Sequence, residues 1–339
     1  MRQIWITRAG PPEVLAVKEA PDPVPKPDEL RIRVEASGVN FADIIGRMGL
    51  YPDLPPIPVV PGYEVSGRVD AAAAGLGDWI GRDVVAMTRF GGYADVVCVP
   101  AKQVFARPAG MSALQAAAIP VNYFTAWQLI VVMGGLKRNE TVLVHSAGGG
   151  VGIAATQIAK HIGARVIGTA SAAKHAELRA LGVDHPIDYR TEDFEARARE
   201  ITAGRGVDLI LDPIGGESWR KGYRLLAPAG RLGAYGLSAA AAGKARSLLD
   251  TLGVLARIPW FAFNPLALMG ANKGVFGVNL GHMWGEIDRI RDWADQLFDL
   301  WSQGVVKPRI AHTFRFTEAV QAHHFIQDRR NIGKVLLVP

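Results

Sequence analysis

Cysteine is all but absent: among 339 residues only Cys98 carries a thiol. A single thiol excludes an intrachain disulfide framework and any zinc site that needs several thiolates, and it suits a reducing, cytosolic compartment. Uninterrupted apolar runs are missing as well. The most apolar stretch, Leu252 to Ala271, has about the length of a membrane span, but it holds Arg257, Pro259, Asn264 and Pro265. It therefore reads as a buried or lid segment, with Trp260, Phe261 and Phe263 as its aromatic face, and no integral membrane insertion is expected. The N-terminus meets charge and glycine before an apolar h-region develops, so it does not read as a secretory signal. No run of one charge sign dominates. The net charge of +6 is scattered, which argues against a nucleic-acid partner and leaves the attraction of a polyanionic cofactor as its plain use.

What is present is an ordinary globular composition, 49% hydrophobic with 38 glycines, in a chain longer than one hydrophobic core usually reaches. Two domains are expected. Up to about residue 100, short β-rich segments (Leu30–Ala36, Val65–Val69, Asp83–Met87, Tyr93–Val99) alternate with Pro/Gly turns. From about residue 123 the rhythm changes to apolar strands at Thr141–Ser146, Ala164–Thr169, His185–Asp188, Val207–Asp212 and Arg231–Tyr235, with helical stretches such as Val151–Ile162 and Ala172–Leu181 between them. That alternation predicts a parallel sheet wound by crossover helices. A strand at Gly274–Asn279, a long amphipathic helix over about 283–303 and a last strand at Lys334–Val338 follow, and the C-terminus is expected to return to the first domain.

The strand at 141–146 runs into Ala147-x-Gly149-x-x-Gly152, which opens a helix. Small residues there permit a tight turn and close backbone approach, and the helix N-terminus turns amides and its dipole toward a phosphate. Ala147, Gly149, Gly150, Val151 and Gly152 thus read as the cradle of a dinucleotide pyrophosphate. An NAD site places an acid at the end of the next strand. Here that strand runs into Ala170-Ser171-Ala172-Ala173-Lys174, where a hydroxyl and a cation favour the 2′-phosphate of NADPH. His145 beside the turn reads as a satisfied structural histidine, Cys98 as a buried and unreactive thiol, and His323 and His324 lack the spacing of metal ligands.

Together with this turn, the segments Ala36-Ser-Gly-Val-Asn-Phe-Ala-Asp43, Pro61-Gly-Tyr-Glu-Val-Ser-Gly67, Gly91-Gly-Tyr-Ala-Asp95 and Gly274-Val-Phe-Gly-Val-Asn-Leu280 resemble the medium-chain dehydrogenase/reductases, specifically the zinc-independent quinone oxidoreductases that include zeta-crystallin and the vesicle amine transport protein 1 branch. The resemblance implies an α/β architecture: a GroES-like β-rich catalytic domain from residues 1–122 and 282–339, and a doubly wound Rossmann domain from 123–281. Where zinc alcohol dehydrogenases carry a cysteine and a histidine ligand, this chain has Asn40 and Tyr63, neither a good zinc ligand, so a metal-free enzyme is expected.

Without zinc to polarise an alcohol oxygen, reduction of an already electrophilic acceptor becomes the expected chemistry. Hydride would pass from NADPH to a quinone or, by the same geometry, to an enone, enal or enoyl thioester. Asn40 and Tyr51 would polarise its carbonyl. Read alone, Asn40 is also a helix cap and Tyr51 also a loop anchor. Asp43 and Glu64 match family positions near the catalytic cleft, where carboxylates equally serve to orient loops. The resemblance further implies Thr125 beside the nicotinamide, Lys174 and Tyr189 near the adenosine phosphate, Arg329 on the cofactor, and a homodimer joined partly through the 274–280 strand. A low-turnover NADPH-binding regulatory protein is the reading from another class.

Overall fold

The structure is a computed structural model that describes residues 1–241, 253, 256 and 263–339. Of the apolar segment expected as a buried or lid segment, Trp260 and Phe261 lie outside the described residues. Phe263 packs its ring on Tyr223 at 5.7 Å.

Two sheets organise the chain. A hairpin of β1 (Arg2–Ile6) and β2 (Leu15–Glu19) precedes the first, which runs through β3 (Glu29–Val39), β4 (Glu64–Ala72), β5 (Asp83–Met87), β6 (Val96–Pro100) and β7 (Val104–Ala106). It is completed by the last two strands, β14 (Ile310–Arg315) and β15 (Lys334–Val338), in the order β14-β15-β3-β4-β5-β7 with β6 also on β3. Long β3 is its spine, pairing antiparallel with β15 at one end, with β6 at the other and with β4 along its length. The return of the C-terminus to the first sheet is therefore built into the pairing of Val335 with Val39.

The second sheet holds β8 (Thr141–Val144), β9 (Arg165–Ala170), β10 (His185–Asp188), β11 (Val207–Asp212), β12 (Leu226–Ala234) and β13 (Gly274–Gly277). Every pairing is parallel and the order is β10-β9-β8-β11-β12-β13. Chain order thus reverses between β8 and β11, the switch point beside which doubly wound sheets bind ligands, at the carboxyl ends of their strands. The crossovers are α4 (Gly150–Ile162), α5 (His175–Ala180), α6 (Phe194–Ile201) and α7 (Glu217–Leu225). Fully buried Val142, Leu143, Leu209 and Ile210 give β8 and β11 the near-continuous apolar run of a strand covered on both faces.

The first sheet carries α1 (Phe41–Arg47) and α2 (Ala113–Ala117), and it meets the second across a helical stretch in which α3 (Thr125–Trp127) is flanked by π-helical turns at Pro120–Phe124 and Gln128–Val132, the first of which packs on both β5 and α4. After α8 (Pro265–Ala271), the helix expected over 283–303 is shorter. Glycines at 281 and 285 break its start into 3-10 turns, and α9 spans Ile287–Ser302. Its apolar face, with Ile290, Trp293 and Leu297, shares a core with Trp127, Leu129, Val144 and Ile158. Helix α10 (Ala319–Gln327) packs against β14 and β15.

Candidate active site

The glycine turn forms as its spacing demands. Ser146 adopts a left-handed conformation (φ 54°), the Gly149 amide donates back to its carbonyl at 2.8 Å, and α4 begins at Gly150. Gly149 supplies no side-chain cap, so the first-turn amides of Gly150, Val151 and Gly152 are left for an external acceptor at the positive end of the helix dipole. Gly152 has no alternative: a Cβ there would stand 2.5 Å from the Ser146 carbonyl oxygen and 2.7 Å from the Cα of buried Ala147. A Cβ on Gly150 would enter the amide of Asn122, a buried residue that sequence reasoning passed over although it lies in the same segment as Thr125. Thr125 itself is buried one turn further along. The turn fits a pyrophosphate on the evidence of these unclaimed amides.

A cationic patch adjoins it. The Lys174 stem would touch a Cβ on Gly148 at 3.3 Å, and its ammonium donates to the Asn331 carbonyl at 2.5 Å. Partial burial lowers its pKa, within the field of Tyr189, Arg190 and Arg329. The Arg329 guanidinium donates to the Tyr189 hydroxyl at 3.1 Å and stacks on its ring at 5.5 Å, while Arg190 stacks at 6.0 Å. Burial would raise the Tyr189 phenol, but the hydrogen bond and charge of Arg329, helped by Arg190, leave it lowered. Ser171, at the end of β9, starts the turn that carries Lys174, whose amide donates to its carbonyl at 2.9 Å. The expected residues Ser171, Lys174, Tyr189 and Arg329 thus lie about one end of the parallel sheet, with Arg190 as an unforeseen third cation beside Lys174 and Arg329.

The two halves are tied together at the turn. The Gly333 amide donates to the Gly148 carbonyl at 2.9 Å, and its φ of 105° against the Arg309 backbone admits no side chain. The next residue, Lys334, enters β15 with its ammonium buried. It donates to Asn40 Oδ1 at 2.5 Å and to Glu64 Oε1, while Asn40 Nδ2 donates to Glu64 Oε1 at 2.9 Å and the Val121 amide to Glu64 Oε2 at 2.7 Å. An internal ammonium thus holds Asn40, which stands where the resemblance would seat a zinc-ligating cysteine, and Glu64, the chain neighbour of Tyr63 at the second such position. Among the described residues no three His, Cys, Asp or Glu side chains converge so as to hold a metal ion. Asn40 also caps α1 in reciprocity with Asp43, and retains one amide hydrogen that these contacts do not use.

Asp43 lies behind this cap. It accepts from the Asn40 amide at 2.8 Å, the Gly62 amide at 3.0 Å and the Tyr93 hydroxyl at 3.2 Å, and that hydroxyl lies 3.2 Å from His323 Nε2. Burial outweighs these donors and pushes the Asp43 carboxyl up to about 7. His323 is driven well below its ordinary pKa by burial and stays neutral. His145 is likewise buried and neutral, with Nδ1 3.1 Å from the Thr169 hydroxyl, but its Nε2 meets no hydrogen-bond partner among the described residues, so it is not the fully satisfied histidine that was expected. Burial raises the Cys98 thiol to about 11, leaving it protonated.

Tyr51 sits on the loop after α1 and reaches the segment beyond β13: its hydroxyl is 3.2 Å from where a Gly281 Cβ would stand. Its ring meets Tyr63 edge-on at 6.2 Å, and Tyr63 meets Phe90 at 5.4 Å. The Tyr63 hydroxyl is buried and has no partner in full hydrogen-bonding geometry among the described residues, but the Tyr51 phenol stands near enough for a contact between the two hydroxyls to shift the ionisation of both. An unmet buried hydroxyl costs about 1–3 kcal/mol. Sequence reasoning saw in Tyr63 only a lost metal ligand.

With this geometry in view, the chain was compared with known proteins. Residues 26–109 match the alcohol dehydrogenase GroES-like domain and residues 181–337 the zinc-binding dehydrogenase family. Over 329 residues the chain is 42% identical to the synaptic vesicle membrane protein VAT-1 homolog of Mus musculus, covering 96% of this chain and 80% of that one. The chain is a medium-chain dehydrogenase/reductase. Among solved members, the Escherichia coli quinone oxidoreductase complexed with NADPH superposes with a TM-score of 0.86 at 29% identity over 100% of both chains. The CurK enoyl reductase does so with a TM-score of 0.83 at 27% identity, over 99% of this chain and 98% of that one. Medium-chain reductases with different acceptors thus share this frame, and the chain is an oxidoreductase by family. Among the described residues no helix is long and apolar enough to cross a membrane.

Proposed function

We propose that the protein is an NADPH-dependent, zinc-independent reductase that delivers hydride to a quinone. The observation that carries the cofactor is the uncapped glycine turn facing Lys174, Tyr189 and Arg329, with no carboxylate from Ala170 to Lys174 to repel a 2′-phosphate. When bound, the nicotinamide supplies the hydride. The chain's own residues do the rest: the α4 amides with Ala147, Gly149, Gly150, Val151 and Gly152 bind the pyrophosphate, Lys174, Ser171, Tyr189 and Arg329 hold the adenosine phosphate, and Thr125 flanks the nicotinamide. Asn40, pinned by Lys334 and Glu64, offers its remaining amide hydrogen to the acceptor oxygen, and Tyr51 closes over it. Asp43 positions Asn40 through the cap of α1.

The neighbouring CurK enoyl reductase supports a second acceptor class, α,β-unsaturated ketones, aldehydes and thioesters. NADPH consumption with a panel of quinones and enones tests both. Oxidation with quinones foremost is expected, oxidation with enones alone would move the reading to the second class, and binding without oxidation would leave a nucleotide-binding regulatory protein.

As part of the same reading, residues 1–122 with 282–339 form the catalytic domain and 123–281 the nucleotide domain. The enzyme works in the cytosol, as the single thiol suggests. Strand β13 ends its sheet with one edge unpaired among the described residues, and a homodimer would close that edge. Sedimentation at twice the chain mass is the expected result.

A further inference from the structure

We propose that the Tyr63 hydroxyl is the group that receives the acceptor's carbonyl oxygen, donating the principal hydrogen bond to it beneath Tyr51. This rests on the reductase reading above and sharpens its substrate site. In the polar cluster around Asn40 the other side chains are committed. Asp43 accepts three donors, Glu64 is held by Asn40, Lys334 and Val121, and Asn40 has one amide hydrogen left. The Tyr63 hydroxyl has no partner in full hydrogen-bonding geometry, and the one polar group that approaches it among the described residues is the Tyr51 phenol, which shares the site.

Unmet nitrogens also occur on Arg47 and His323, but both residues are 0% exposed and packed toward α10 through Gln327 and Tyr93. Tyr63 as a residue keeps 8% exposure although its hydroxyl is itself buried, and the side chains its ring meets are Tyr51 and Phe90, at 6.2 and 5.4 Å. The Tyr51 and Phe90 rings beside the ring that carries this donor describe a slot for a flat, conjugated carbonyl compound. Tyr51, whose hydroxyl approaches Gly281, covers that slot from the nucleotide-domain side.

The chemistry balances without ionising Tyr63. Hydride and its electron pair leave NADPH, which is oxidised to NADP⁺, and bond to the acceptor carbon. The conjugated π electrons move onto the carbonyl oxygen, where the Tyr63 O–H stabilises the developing charge, and water supplies the proton that completes the reduced product. Burial first, and then the nearby charge of Asp43, raise the Tyr63 pKa, which suits a group that donates a hydrogen bond and keeps its proton.

The test uses Tyr63→Phe and Tyr51→Phe in the full chain. In the NADP⁺ complex, which cannot deliver hydride, the infrared carbonyl stretch of carbonyl-¹³C acetophenone is recorded. The proposal expects a downshift in the wild type that is lost in Tyr63→Phe and largely kept in Tyr51→Phe. It also expects kcat/KM for an accepted quinone to fall about 100-fold in Tyr63→Phe, the usual consequence of losing one oxyanion donor, with NADPH affinity unchanged. Thermal stability should hold or rise, because the hydroxyl removed has no partner in full hydrogen-bonding geometry. No downshift in the wild type, or one that persists in Tyr63→Phe, overturns the assignment. If the downshift is lost while the wild type turns over no acceptor, the assignment stands and the reductase reading falls. If turnover is robust and Tyr63→Phe leaves both rate and downshift intact, the reductase reading stands and the assignment falls.

Discussion

At Asp43, burial and charge oppose each other. Its carboxyl is pushed up to about 7 from 3.8, so the folded state binds a proton that the unfolded chain has released. The associated stability is fully present below pH about 4 and is lost as pH rises through 7. That interval corresponds to on the order of 4 kcal/mol. Urea unfolding from pH 4 to 8 should therefore show the wild type losing stability relative to Asp43→Asn as pH rises, and parallel curves would refute the raised carboxyl. Lys334 and Glu64 make the converse case. Lys334→Met leaves Glu64 charged and buried, and should cost about 3–5 kcal/mol in the same measurement, with Lys334→Met/Glu64→Gln costing less than the sum of its parts. Asn40 was legible as a helix cap from its own chemistry, whereas Asp43, read only as a carboxylate near the cleft or orienting a loop, proves to be the reciprocal partner of that cap. Lys334 was not legible: its partners lie 294 and 270 residues away, and a lysine opening a strand carries no local sign of burial. Tyr63 was legible only as the absence of a histidine, because an unmet hydroxyl is a property of packing.

At the scale of elements, the glycine turn was readable in full, since its strand, spacing and helix all point to one backbone path. Its contact with Asn122 was not, because the pressure on Gly150 comes from another element. Gly150→Ala should weaken NADPH binding at least about tenfold in a fluorescence titration by pushing Asn122 off the turn. Gly77→Ala, at a site with open space and no positive φ, should leave binding unchanged. Equal affinities for both variants would show that the turn tolerates a Cβ. Strand β12 starts at Leu226, earlier than expected, because Pro228-Ala-Gly reads as a turn. The structure accommodates it with Ala229 at φ 61° and a register shift against β11. Alternating apolar residues revealed β3 and β4, but not that β3 would be the spine, since strand partners are chosen by topology rather than by the strand's own pattern.

For the whole molecule, the arrangement of two sheets followed from the change in rhythm near residue 123, and its consequence is a shared edge at the cofactor turn. Gly333 docks on Gly148 and Lys334 immediately joins the Asn40 cluster, so two consecutive residues would couple the proposed nucleotide and acceptor sites. The preference for NADPH belongs to this scale, because Lys174, Tyr189 and Arg329 come from three separate segments. Lys174→Ala should raise the NADPH KM about tenfold or more while changing that for NADH little, in steady-state kinetics. The most direct test of the account is the rate of acceptor-dependent nucleotide oxidation by protein dialysed against a strong chelator, run with NADPH and NADH side by side over the quinone and enone panel. The account predicts undiminished turnover with at least a tenfold preference for NADPH. Loss of turnover restored by zinc, or equal use of NADH, would contradict it.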